Sequence, residues 1–133
     1  MSVRVERAFV VDEELRVVFH DALKSEARHR GGRAYLDSFG VDEKALEALV
    51  DEEGLWIARD DELIGLGVCS SGVIMGIYVI PTRRREGIAR ALVAEIIDAV
   101  NPRDAHALPG DRAMKSLYES FGWKARLLTM RAD

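Results

Sequence analysis

Apolar positions along this chain follow two different periods, and the change between them divides the sequence. Leu15, Val18, Phe19, Ala22 and Leu23 recur at three- and four-residue intervals, the stripe of an amphipathic helix reaching the Arg28 region. Asp12-Glu13-Glu14 opens that helix, with acids suited to its positive end. Val3, Val5 and the stretch from Phe9 to Val11 predict a strand before it. A second helix is predicted from Asp42, burying Ala45, Leu46, Leu49 and Val50. The period then shortens to that of strands. Residues 55–59, 63–69 and 73–80 each read as one, separated by Asp60-Asp61 and Ser70-Ser71-Gly72. Short strands joined by tight turns imply an antiparallel meander, and Pro81 ends it.

Helical spacing returns over residues 84–100. Ile88, Leu92, Ile96 and Val100 repeat every fourth residue, with Ala89, Val93, Ile97 and Ala99 widening the stripe. Asn101-Pro102 stops this helix. Residues 104–108 predict a short strand, and residues 111–121 a helix with Asp111 as N-cap and Gly122 as its left-handed C-terminal residue. Residues 123–130 predict a closing strand. The fold class is α+β: a mixed, mostly antiparallel central sheet flanked by helices, in a single domain over residues 1–133.

Composition narrows the functions open to such a domain. No apolar run approaches the roughly 20 residues that span a bilayer, and the first residues lack a signal-peptide pattern, so no membrane role is expected. Cys69 is the only cysteine. No internal disulfide can form, a cytoplasmic location is expected, and the thiol reads as a small buried side chain. A formal net charge of −4 argues against nucleic acid as a partner. Yet Arg83, Arg84 and Arg85 stand together, a cationic spot better matched to a small polyphosphate than to a long polyanion.

That spot lies where a buried strand turns into the long helix, with Gly87 and Ala89 close behind. Opening amides of a helix lack intrahelical partners and sit at the positive end of its dipole. Small residues there let phosphate oxygens approach. A solvated basic cap is the other reading of the same turn. A Rossmann site needs three glycines after the first strand of a parallel unit, and a P-loop needs Gly-Lys-Ser or Gly-Lys-Thr; neither is present.

Arg84-Arg85-Glu86-Gly87-Ile88-Ala89 resembles the Arg/Gln-x-x-Gly-x-Gly/Ala pyrophosphate motif of the GNAT superfamily of N-acetyltransferases. Leu117-Tyr118-Glu119-Ser120-Phe121-Gly122-Trp123 resembles that family's LYExxGF segment, with Trp123 where Phe is commoner. The order of elements agrees over nearly the whole chain. The resemblance implies a GNAT-like fold and transfer of an acetyl group from acetyl-CoA, as co-substrate, to a small-molecule or peptide amine in a ternary complex. A non-catalytic acyl-CoA-binding sensor or docking module is the alternative. A homodimer through C-terminal edge strands is an arrangement common in such folds.

Residue by residue, the resemblance implies that Ile77, Tyr78 and Val79 meet the pantetheine arm. Arg84, Arg85, Glu86, Gly87, Ile88 and Ala89 hold the pyrophosphate, with the Glu86 side chain toward solvent. Tyr118 takes the place of the general acid that protonates the departing thiolate, although its spacing with Met114, Leu117 and Phe121 equally suits a core residue. His106 is the candidate base for the substrate ammonium, or a histidine at the core edge. Asp111 stands where Asn is frequent and can simply cap its helix. Arg28, Arg30 and Arg33 lie where relatives build the acceptor pocket, or form a solvated basic loop. No metal is expected, since His20 and His29 show no ligand spacing and read as surface or loop residues.

Overall fold

The computed structural model describes residues 2–132. Five strands form one sheet in sequence order: β1 (Arg4–Arg7), β2 (Leu55–Arg59), β3 (Leu63–Ser70), β4 (Val73–Val79) and β5 (Asp104–Ala105). The first three pairings are antiparallel and β4–β5 is parallel, so the sheet is mixed and mostly antiparallel, as the pattern predicts. Side chains alternate across β2. Leu55 and Ile57 join the core under α1 (Glu13–Arg28) and α3 (Leu46–Asp51), while Trp56 and Ala58 join the core under α4 (Ile88–Val100) and α5 (Arg112–Ser120). Helices on both faces bury the meander between two apolar layers.

Caps set several of the boundaries. The Asp12 carboxylate accepts from the Leu15 amide at 2.9 Å, and Asp111 accepts from Met114 at 3.2 Å. Asp42 caps a single 3-10 turn (Glu43–Ala45) that leads into α3, where the sequence predicts one longer helix. The stretch Phe9 to Val11 does not extend β1: pairing ends where Ala8 donates to Leu55 O, and Phe9 and Val10 are exposed.

Three other departures matter for function. A short helix, α2 (Gly32–Ser38), occupies what reads as a glycine loop. Gly32 folds so tightly onto the last turn of α1 that a Cβ there would lie 1.8 Å from Glu26 O. The long helix begins at Ile88 rather than Arg84, because Arg85 and Gly87 both take left-handed backbone (φ 66° and 82°) that no helix interior accepts. Residues 123–130 form no strand. Trp123 packs against the core, but Leu127, Leu128 and Met130 face solvent, Leu127 at 90% exposure, and no described strand pairs with the segment.

Candidate active site

The turn after β4 is held from within. Arg83 donates to Asp60 at 2.5 Å and to Glu86 at 3.1 Å, and the Asp60 side chain is only 2% exposed. The Glu62 amide and then Arg83 hold the Asp60 carboxyl below its ordinary range. Arg84 donates from Nε to Val79 O at 3.0 Å and lies 5.8 Å from the Tyr78 ring centre. Two of the three arginines therefore fasten the loop, and Glu86 turns onto Arg83 rather than simply to solvent. Arg85 makes no hydrogen bond or ion pair among the described residues.

What the loop offers a ligand is backbone. Intrahelical bonding in α4 starts with Ala91 donating to Gly87 O, which leaves the amides of Ile88, Ala89 and Arg90 as the helix's opening donors. Left-handed backbone at Arg85 and Gly87 gives the preceding chain the alternating turns from which anion-accepting concavities can be built. Open space surrounds the Gly87 Cα. An anionic diphosphate fits this corner by charge and by access.

β4 leads from that corner to the other candidate residues. Its register against β3 skips Met75: Val68 pairs with Gly76 and Cys69 with Ile74. This bulge puts Met75 and Gly76 on the α1 face in succession, while Ile77 and Val79 pack with the α4 core and Tyr78 with the α1 core. β5 follows β4 only as far as Ile74, where His106 donates its amide to Ile74 O at 2.8 Å. Beyond that point the chains part. Between them lies a hollow of about 290 Å3, lined by Met75, Gly76, Ile77, His106, Leu108 and Met114 among others.

Tyr118 projects from α5 into the core on the α4 side, stacked on Trp123 with ring centres 6.0 Å apart. It is 6% exposed, and its hydroxyl is buried without a hydrogen-bond partner. Burial first, and then Tyr35, Asp111 and Glu26, push its pKa well above the usual phenol range. An orphaned hydroxyl in a core is costly, and spacing alone does not reveal it.

On the α1 side the arrangement is different. A cleft of about 590 Å3, its open mouth included, lies between α1, α2 and the β3–β4 face. Phe19, Leu23, Leu36, Val68 and Met75 contribute apolar wall, while Glu26, His29 and Asp111 gather at one end. A potential donor atom from each of these three lies within 4.8 Å of the others, so the group can ligate a cation. His29 lies in the bend just after α1, the loop position its sequence context suggested, and its side chain lines the cleft. Burial raises the Glu26 carboxyl, with Asp111 adding to the rise and His29 opposing it.

His106 stands nearby, but its Nδ1 is engaged at 2.5 Å by the Tyr35 hydroxyl, which also lies 3.2 Å from Met75 O. The tautomer of His106 sets which partner receives the phenolic proton. Burial lowers the imidazole pKa, favouring the neutral ring. Arg28, Arg30 and Arg33 do not line the cleft. Tyr35 and Glu26 do, and the sequence reading passed over both: α2 is too short for its stripe to register, and Glu26 reads as one more charge on a solvated helix.

A family model for the acetyltransferase (GNAT) domain matches residues 51–125. The chain belongs to this family. The match runs from α3 through β2–β4, the phosphate-type corner and α5, so it includes both motifs. Solved structures extend the likeness to the whole fold. PH1933 from Pyrococcus horikoshii OT3 is 19% identical, with a TM-score of 0.70, 97% of this chain covered and 93% of that one. The PaiA N-acetyltransferase of Thermoplasma acidophilum, in complex with coenzyme A, is 15% identical with a TM-score of 0.71 over 95% of this chain and 92% of that one. AAC(6')-Iy, bound to the bisubstrate analogue CoA-S-monomethyl-acetylneamine, is 17% identical with a TM-score of 0.61 over 100% and 99%. None of the curated proteins matches the chain by sequence. At these identities the likeness speaks for a shared GNAT fold.

Proposed function

We propose that this protein transfers the acetyl group of acetyl-CoA to a primary amine by direct attack within a ternary complex. The reading rests above all on the Tyr118 hydroxyl, buried and unpartnered on the helix that flanks the parting of β4 and β5. Two neighbours of the same fold are complexed with CoA or a CoA-bearing analogue, and the opening amides of α4 suit a diphosphate. Ile77, Tyr78 and Val79 then run beside the pantetheine arm, with Arg84 to Ala89 at the pyrophosphate.

Acetyl-CoA supplies an activated thioester and a thiolate leaving group. The substrate ammonium loses one proton to the base, and thence to water, before attack; as the C–N bond forms and the C–S bond breaks the nitrogen loses a second, which replaces the proton that the general acid gives to sulfur. Tyr118 is the general acid: a phenol is protonated at neutral pH and can pass its proton to the sulfur as the C–S bond breaks. His106 is favoured neutral by burial; in the tautomer where its Nδ1–H donates to Tyr35 and Tyr35 donates to Met75 O, Nε2 is left to accept a proton from the substrate ammonium. The test is release of free CoA thiol on adding acetyl-CoA and a primary amine, with mass spectrometry of the gently purified protein for retained CoA. Binding of CoA without turnover over a broad amine panel would leave a sensor or docking module instead. Failure to bind CoA at all would end both readings.

A further inference from the structure

Two observations on the α1 side point beyond transfer to an amine in general. The first is charge. Glu26, His29 and Asp111 converge at one end of the cleft, His29 Nε2 lying 3.8 Å from Asp111 Oδ2. No Lys or Arg lines that cleft or the hollow between β4 and β5, which Glu26 and Asp111 also line. The Glu26 carboxylate receives no hydrogen bond or ion pair from the described residues, yet it sits over β4, where a Cβ on Gly76 would lie 3.4 Å from its Oε2. Two carboxylates without a permanent cation form a site for a positive ligand. The second observation is the remaining wall, which carries no charge: Phe19, Leu23, Leu36, Val68 and Met75 make it largely apolar, and the hydroxyls of Ser25, Tyr35 and Tyr78 are its polar groups.

Resting on the acetyl-transfer reading, we infer that the acceptor is a small primary monoamine with an apolar arm, its ammonium held by Glu26 and Asp111 and its arm lying against α1 and α2. An ammonium suits this place because Glu26 and Asp111 also line the hollow between β4 and β5, which Met114 enters from α5, the helix that carries Tyr118. A polyamine or an aminoglycoside is a poor fit. Its additional cations or hydroxyls would be stripped of water against Phe19, Leu23 and Leu36, a burial that costs free energy without compensating hydrogen bonds.

The inference is tested with 2-phenylethylamine, hexylamine, spermidine, kanamycin and a short unblocked peptide, each measured as acceptor and as a shift in Tm without acetyl-CoA. The two monoamines are expected to show the lowest KM and the largest shifts. Glu26→Gln should raise their KM roughly 10- to 100-fold, the range for losing a hydrogen bond to a charged group, and Glu26→Asp should restore part of it. CoA affinity, followed by calorimetry, should stay unchanged in both variants, and Asp111→Asn, which keeps a capping oxygen, should give a smaller rise. Preference for spermidine, kanamycin or the peptide would overturn the inference, as would an unaltered KM in Glu26→Gln. So would micromolar Zn2+ raising Tm in the wild type but not in Glu26→Gln while the monoamines do nothing, since the cation held would then be a metal. Loss of CoA binding in the wild type would strike the acetyl-transfer reading instead, and the amine titrations without acetyl-CoA would still judge the cleft.

Discussion

The corner after β4 and the cleft beneath α1 suit ligands of opposite charge, and they are built in opposite ways. The corner is backbone: three helix-opening amides, two left-handed residues and a strap of Arg83 between Asp60 and Glu86, nearly all within one short stretch of chain. The cleft is side chain: Glu26 and His29 from α1, Tyr35 from α2, Met75 from β4 and Asp111 ahead of α5. Backbone donors cannot be substituted away, so the corner tolerates many side chains and responds mainly to backbone shape. Most of the cleft's wall is replaceable side chain. One fold can thereby keep one ligand and change the other.

The sharpest way to break this contrast is Gly87→Glu. A side chain at φ 82° is strained, and the carboxylate would face the phosphates. CoA binding is expected to fall below detection in calorimetry while the Tm shift given by monoamines survives; loss of both would mean the two regions are not separable. Next in size is Tyr118→Phe, expected to lower kcat about 100-fold, the lower end of general-acid effects. Its Tm without ligand should not fall, because the hydroxyl removed has no partner to lose. A structural tyrosine would show the reverse pattern. Asp60→Asn frees one end of the Arg83 strap and should weaken CoA severalfold without changing KM for the amine.

The smallest effect is a pH dependence on the cleft side. The folded pKa of His106 lies below its unfolded value of 6.5, so the unfolded chain takes up protons first as pH falls. Stability should therefore be lost from about pH 6.5 downward, levelling off below the folded pKa. In His106→Gln the fall in Tm across that window should be shallower. An unchanged slope would place the titrating group elsewhere.

The same contrast explains what could be read in advance. The meander was legible almost to the residue, because Leu55–Arg59 and its neighbours alternate or run apolar between clear turns. The turn into α4 was legible from Gly87, Ala89 and the arginines, although the helix was extended one turn too far; apolar spacing does not register a positive φ at Arg85. Residues 123–130 carry strand-like composition, but a strand needs a partner edge, and composition cannot supply one. The cleft was nearly invisible. Glu26, His29 and Asp111 come together only because Gly32 folds the chain back on α1 and β4 carries a bulge, and no local pattern encodes either contact. Tyr118 was singled out through its motif; its stranded hydroxyl needed the packing around it.

The extra residue in β4 has one more implication. Met75 O, released from regular pairing by the bulge, meets the Tyr35 hydroxyl, so α2 is hooked to the strand proposed to flank the pantetheine arm. One phenol thus ties a wall of the cleft to the strand beside it.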